Sequence, residues 1–357
     1  MAADAVTSVH AMLRDAVACR ASDVHLEPTA DGYEIRFRTD GLLETRQRVA
    51  AELGRSMALR LMVMAKLLTY RLDVPQEGRC HWSDDASAPG PLDLRVSVIP
   101  TTHGLRVAVR LPAELVQPRS LDALDLPADV LASLHRFADA DAGMLLVVGP
   151  AGSGKTTTLY ALLEHIAATG RGLSVISIED PVERQLRGVT QIEVTPFGEM
   201  TCERVLRSVL RQDPQVLMLG EIRDADTAAL AVNAALTGHR LLCTLHASDP
   251  VAALVRLMEM GLDRYKLAAS VWGVLSQRLL RRRAPGGGYQ GRVPAAEIAV
   301  MDEPLRSAVL RGDVAAMRDA VRRRRGQVTI RRVADDLVGR GVTDEDEVFR
   351  VLGREDA

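Results

Sequence analysis

Between Met144 and Thr158 the chain reads Met-Leu-Leu-Val-Val-Gly-Pro-Ala-Gly-Ser-Gly-Lys-Thr-Thr-Thr. An apolar run, Met144 to Val148, passes into a loop holding Gly149, Gly152 and Gly154, and a helical pattern begins after Lys155 and Thr156. Strand, glycine loop, Lys-Thr and helix in that order are a phosphate-binding P-loop in its proper context. Glycine permits the tight turn that aims consecutive backbone N–H groups inward. The helix N-terminus behind them adds roughly half a positive charge. Gly149, Pro150, Ala151, Gly152, Ser153, Gly154, Lys155, Thr156 and Thr157 are therefore the expected nucleotide-binding residues. Lys155 is spaced to reach the β- and γ-phosphates of ATP, and the Thr156 hydroxyl to ligate magnesium.

Hydrolysis also needs a group that handles water. Gly220-Glu221-Ile222-Arg223-Asp224 follows the apolar run Val216 to Leu219, the pattern of a Walker B strand. Glycine stands where many P-loop enzymes carry an aspartate, so Glu221 is the candidate that orients and polarises the attacking water. Glu179, Asp180 and Glu183 follow another apolar run, Leu173 to Ile178. They read either as outer-sphere magnesium ligands with a second candidate base, or as a solvated turn. His246 ends the run Leu241 to Leu245; it is a structural histidine or a hydrogen-bonding sensor of the γ-phosphate. Arg204, Arg207 and Arg211 recur at helical spacing. On a monomer they form a solvated face; in a ring, such arginines can complete a neighbour's site. The runs Arg278 to Arg283 and Arg322 to Arg325 lack interleaved aromatics, and no nucleic-acid partner is expected from them.

These residues need a scaffold, and 357 residues suggest two domains. The formal net charge of −2 gives no global argument for nucleic acid or membrane. Four scattered cysteines, Cys19, Cys80, Cys202 and Cys243, indicate neither a disulfide framework nor a zinc site. The N-terminus is not patterned as a signal peptide and no apolar run is long enough to span a membrane, so a cytoplasmic location is expected.

Val9, Met12, Leu13, Ala16 and Val17 mark an amphipathic helix from Val6 to Val17. Alternation through Val24, Leu26, Tyr33, Ile35 and Phe37, with turns at Asp31-Gly32 and Asp40-Gly41, predicts short strands in hairpins. Helical pattern returns from Ala50 to Leu68 and alternation from Leu92 to Leu111, where Arg95, Ser97, Arg106 and Arg110 fall on one sheet face or near strand ends. Residues 1–112 thus read as a small α+β domain, 113–127 as a proline-bearing linker, and 128–357 as an α/β domain with a C-terminal helical part. In that last part, strands Leu173 to Ile178, Val216 to Leu219 and Leu241 to Leu245 alternate with helices Thr201 to Leu210 and Thr227 to Leu236. A mainly parallel sheet follows, with its ligand at the carboxyl ends of the strands.

The ordered motifs resemble the secretion ATPases of type II secretion and type IV pilus assembly. They are Ala21 through Pro28 (Ala-Ser-Asp-Val-His-Leu-Glu-Pro), Arg38-Thr39-Asp40-Gly41, Pro75 through Arg79, and Arg95-Val96-Ser97 with Gly104-Leu105-Arg106 through Arg110. Beyond the P-loop come Ile178 through Glu183, similar to an Asp box, Leu210 through Pro214, and Gly220 through Asp224. Thr237-Gly238-His239 with Thr244-Leu245-His246 resembles a His box, and Gln277-Arg278-Leu279 and Gly288 through Arg292 follow. The resemblance implies a RecA-like P-loop motor domain preceded by a smaller, PAS-like α+β domain, assembled as a hexameric ring. It implies that ATP hydrolysis swings one domain against the other to drive pilin or pseudopilin assembly, on inner-membrane platform and anchoring proteins that recruit the motor peripherally. Pilus retraction, or a ring that binds ATP without hydrolysing it, are the alternatives. Arg95, Arg106 and Arg110 would contact phosphates or help close the interdomain cleft. Where many type II members carry a four-cysteine insert, this chain has Arg281-Arg282-Arg283-Ala284-Pro285-Gly286-Gly287-Gly288, so no zinc is expected. Larger relatives have a further N-terminal domain ahead of the Ser-Asp-Val-His motif, and either a truncated form or a different route of recruitment is the corresponding expectation here.

Overall fold

The computed structural model describes residues 4–84, 90–112, 120–169, 172–195, 198–323 and 328–354, and the chain divides into two compact units, Met1–Gln117 and Pro118–Ala357.

In the first unit, helices α1 (Ala5–Ala18) and α2 (Ala51–Met64) accompany a six-stranded antiparallel sheet. The strands are β1 (Asp23–Thr29), β2 (Gly32–Thr39), β3 (Leu42–Val49), β4 (Gln76–Trp82), β5 (Leu92–Thr101) and β6 (Gly104–Arg110), ordered β3-β2-β1-β6-β5-β4. The helical stripe Val9, Met12, Leu13, Ala16 packs in one core with Val24, Leu26, Ile35, Phe37, Val96, Val98, Val107 and Val109. Those strand residues alternate with polar ones, so one sheet face is apolar and the other carries the charges. The β2–β3 connection is the two-residue loop Asp40-Gly41, both residues at positive φ (51° and 89°), as a tight hairpin turn demands. At Gly32 a β-carbon would lie 2.5 Å from the Val49 carbonyl, which leaves glycine as the residue that fits. α2 ends four residues earlier than its pattern suggested, and Leu68 and Tyr70 beyond it are exposed.

The second unit opens with a 3-10 turn at Leu121–Leu124 whose leucines are buried. The stretch expected as a linker is therefore split: 113–119 lie outside the described residues, while Leu121 and Leu124 belong to this unit's core. Then come α3 (Ala128–Ala138), β7 (Gly143–Val148), α4 (Lys155–Ala168), β8 (Val175–Glu179), β9 (Thr190–Glu193), α5 (Cys202–Val209), β10 (Val216–Leu219), α6 (Ala225–Leu236), β11 (Arg240–Leu245), α7 (Pro250–Glu259) and α8 (Arg264–Ser270). Two long strands, β12 (Val271–Arg283) and β13 (Tyr289–Val300), and four helices, α9 (Glu303–Arg311), α10 (Val314–Arg323), α11 (Ile330–Gly339) and α12 (Glu345–Leu352), complete it.

The sheet runs β13-β12-β7-β11-β10-β8-β9, parallel except for β13. Along β7, Met144, Leu146 and Val148 face one core and Leu145 and Val147 the other, which is why the strand is apolar throughout. The segment Arg281 to Gly288 closes the β12–β13 hairpin. Among the described residues no helix is long and apolar enough to cross a membrane.

Candidate nucleotide site

The P-loop leaves the carboxyl end of β7, whose neighbours are β12 and β11. Gly149, Gly152 and Gly154 have φ of 149°, 74° and 89°, and Gly154 caps the N-terminus of α4. Lys155 Nζ donates to the Gly149 and Pro150 carbonyls at 2.9 Å each. Burial, helped by Arg278 and opposed by Glu221, holds its ammonium below the ordinary lysine value. Thr156 and Thr157 occupy the first turn of α4 and are half-buried. Ser153 Oγ is buried and has no hydrogen-bond partner among the described residues, inside a loop built to meet oxygen acceptors.

A residue the sequence reading named only within a motif holds this loop in shape. Gln277, a buried residue of β12, donates from Nε2 to the Ser153 carbonyl at 2.9 Å and accepts from Thr158 Oγ1 at 2.9 Å. A β-carbon at Gly154 would come within 2.6 Å of Gln277 Nε2, and one at Gly149 within 2.5 Å of the Gln277 carbonyl. Two glycines of the loop are thus demanded by the close approach of β12 as well as by their φ. Arg278 donates to the Gln277 and Ser248 carbonyls (3.0 and 2.8 Å), and Arg292 to the Gly152 carbonyl at 3.4 Å. The available signal was a Ser-Gln pair directly after the apolar run Val271 to Leu275.

β10 lies between β8 and β11, in register Leu219↔Ile178 and Leu219↔Cys243, so the Asp-box, Walker B and His-box residues leave the sheet at one edge. Glu221 Oε1 is 3.0 Å from His246 Nε2 and its Oε2 accepts from Arg223 Nε at 2.7 Å; Arg223 Nη1 reaches Asp180 at 3.2 Å. His246, Glu221, Arg223 and Asp180 thus form one continuous polar chain. Gly220 packs tightly: a β-carbon there would lie 3.3 Å from the Ile178 carbonyl. Asp224 caps α6 by accepting from Thr227 N at 2.8 Å.

Glu179 stands apart from that chain. Its side chain is buried and accepts from Tyr160 Oη, from Ser177 Oγ and from Gln191 Nε2 at 3.1 Å. Glu183 follows on the same loop, its backbone N–H donating to Tyr160 Oη at 3.1 Å. Arg207 is paired with Glu203 one turn back on the exposed side of α5, and Arg211 is exposed with no partner among the described residues. Among the described residues no group of three His, Cys, Asp or Glu could hold a metal ion unaided. Thr156, in the first turn of α4, is the hydroxyl expected to hold magnesium that arrives with the phosphates, which supply most of its ligands.

Arg95, Arg106 and Arg110 belong to the first unit, on the sheet face opposite α1 and α2. Cross-strand register sets Arg38, Asp23, Arg110, Arg95 and Arg79 side by side in one row over five strands. Arg106 sits four pairs along on the same face, its Nε on the Glu27 carboxylate at 2.9 Å.

The sequence matches the model of the family described as "Type II/IV secretion system protein" over residues 2–350. The type II secretion system protein HxcR of Pseudomonas aeruginosa is 38% identical over 368 residues, covering 98% of this chain and 77% of that protein. The type IV pilus assembly ATPase PilB of Thermus thermophilus is 32% identical, over 96% of this chain and 42% of that protein. Among solved structures, the pilus retraction motor PilT with bound ADP is similar at a TM-score of 0.69 and 27% identity, over 97% and 96% of the two chains. Its RecA-like ATPase fold is the fold of this chain, and the chain belongs to the type II/IV secretion system protein family.

Proposed function

We propose that this chain is an ATP-hydrolysing motor that drives pilin or pseudopilin assembly for type II secretion or type IV pili. The observation that supports it most directly is the convergence at one sheet edge of a P-loop lysine and a Walker B glutamate whose charges act on each other. Loop N–H groups, Lys155 and Ser153 Oγ bind the phosphates of ATP, and Thr156 with the phosphates holds magnesium, which offsets charge on the transferring group. Glu221 orients the attacking water and accepts its proton. Asp180, through Arg223, keeps the Glu221 carboxylate turned toward His246, whose imidazole carries the state of the site to the α7 side of the sheet, where Arg256 grips its carbonyl at 2.9 Å. Glu179, with three donors on it, ties β8 to α4 and is a positioning residue in this reading. Neighbouring subunits of a ring supply Arg207 or Arg211 to one another.

Retraction is the near alternative, since the likeness to PilT spans nearly the whole chain; identity to the secretion relative is higher, 38% against 27%. The test is a pair of variants. Lys155→Ala should lose affinity for a fluorescent ATP analogue. Glu221→Gln should retain that affinity and lose phosphate release by about 100-fold or more. Turnover surviving in Glu221→Gln would transfer the water-handling role to Asp180 or Glu183.

A further inference from the structure

Several buried polar groups of the second unit converge on Tyr160. It lies five residues beyond Lys155 on α4, about 7.5 Å along the helix axis, and no part of it is exposed. Its Oη donates to Glu179 Oε2 and accepts from the Glu183 backbone N–H at 3.1 Å. One oxygen therefore fastens both ends of the segment 179–183, and Asp180 lies between them. Burial, and then the Glu179 carboxylate, push the Tyr160 phenol well above its ordinary value, so it stays a protonated donor near neutral pH.

The next turn of α4 repeats the attachment. Glu164 takes the Arg184 guanidinium on both oxygens, at 3.0 and 2.8 Å, and that guanidinium lies 5.2 Å from the centre of the Tyr160 ring. The Arg184 side chain is 7% exposed, so the pair is held largely out of water. Gln191 of β9 completes the enclosure. Its Nε2 donates to Glu179 and to the Arg184 carbonyl, at 3.1 and 2.9 Å, and its Oε1 accepts from the Leu186 N–H at 2.7 Å. Burying charge in this way is a weak source of stability, because apolar side chains of the same shape often do as well. What a satisfied network does give is a single placement of the loop attached to it.

That placement matters because of what the helix carries at its start. α4 opens with Lys155 and Thr156, and the loop opens with Asp180, whose partner Arg223 holds Glu221 (3.2 and 2.7 Å). A packed helix transmits a displacement over one or two turns, so phosphates that seat its first turn also set Asp180. We propose that Tyr160 is a positioning residue for ATP hydrolysis: its hydroxyl hangs the Asp-box loop on the P-loop helix, so that the helix that holds the phosphates also aligns Glu221. This rests on the reading proposed above, in which Glu221 handles the water and Asp180 steadies it through Arg223. Tyr160, fully buried, acts through Asp180 and not on the nucleotide.

The experiment is a double-mutant cycle in the full chain, with kcat and KM for ATP as readouts and thermal melts as the control for folding. Tyr160→Phe keeps the ring beneath Arg184 and removes only the hydroxyl. It should lower kcat about tenfold and leave KM within about twofold, since the phosphate cradle is untouched while the water-handling groups lose alignment. In an Asp180→Ala background, Tyr160→Phe should cost nothing further, because the group it places is gone. Glu179→Gln loosens the same attachment from the other side and should show the same pattern against Asp180→Ala, which keeps the test open where Tyr160→Phe melts below the assay temperature. Equal fractional losses in the two backgrounds would overturn the proposal, since the hydroxyl would then act by a route other than Asp180. Wild-type kcat in Asp180→Ala would overturn the reading beneath it. A large loss in Asp180→Ala beside wild-type kcat in Tyr160→Phe leaves that reading standing and sinks the role of Tyr160 alone.

Discussion

At the scale of single residues, the nucleotide site divides into groups legible by type and groups that only packing reveals. Gly149, Gly152, Gly154, Lys155 and Thr156 are legible because phosphate chemistry permits few alternatives at each position, and Glu221 because an acid ends an apolar strand. Gln277 was not, since one amide in a strand says nothing of which carbonyl it will reach 124 residues away. Its two buried hydrogen bonds make a prediction. Gln277→Leu keeps roughly the volume, removes both bonds, and strands the Ser153 carbonyl and the Thr158 hydroxyl. Destabilisation of about 1–3 kcal/mol is expected. ATP affinity should fall as well, because the Ser153 peptide is part of the cradle. Calorimetric melts and nucleotide titration on one preparation check both, and unchanged affinity with a lowered melting temperature would restrict Gln277 to the fold. Glu179 shows what its sequence position left open: Tyr160, Ser177 and Gln191 all donate to its carboxylate.

At the scale of elements, the helices and short strands were visible wherever one period ran undisturbed, as in α1 and in the Asp40-Gly41 hairpin. The β12–β13 hairpin was not foreseen. Its strands are 13 and 12 residues long, buried on both faces near their middles and arginine-rich toward the turn, so no single period survives. What anchors that arginine-rich end is α12. Glu347, with no exposed surface, accepts from the Arg281 backbone N–H and side chain (2.9 and 2.8 Å) and from Arg350, while Arg281 stacks on the Tyr289 ring at 3.8 Å. Burial alone would raise this carboxyl; the hydrogen bonds from Arg350 and Arg281 outweigh it and hold it down to about 2. The folded-state value is depressed, so the stabilisation is fully present above the unfolded value of 4.5 and is lost as pH falls through about 2. Glu347→Gln should therefore cost about 3 kcal/mol at pH 7, because it leaves Arg281 half-satisfied in a closed site. The gap between variant and wild type in urea denaturation should narrow as pH drops from 4.5 toward 2. A gap independent of pH over that range would mean that the charge of Glu347 contributes nothing and its packing everything.

At the scale of the whole molecule, what composition could bound was bulk behaviour, and what it could not reach was assembly. A formal net charge of −2 on 357 residues puts little self-repulsion in the way of association. Two arginines of the α5 region behave differently in one subunit: Arg207 is neutralised by Glu203, whereas Arg211 is exposed with no partner among the described residues. If the site is completed between subunits, Arg211 is the better donor, since Arg207 must first break its pair. Specific ATPase activity should then rise with protein concentration, several-fold across the range where subunits associate, rather than stay flat as a self-contained site requires. A mixing experiment separates completion in trans from mere stabilisation by association. Lys155→Ala subunits cannot bind ATP but keep Arg211, and Arg211→Ala subunits bind ATP but lack the arginine. Mixed in equal amounts, the two should recover activity that neither has alone, up to about a quarter of wild type if partners combine at random and each active interface needs one subunit of each kind. Phosphate release against mixing ratio should peak near one to one. A strictly additive curve would confine Arg211 to the solvated face of its own subunit and leave catalysis complete within a single chain.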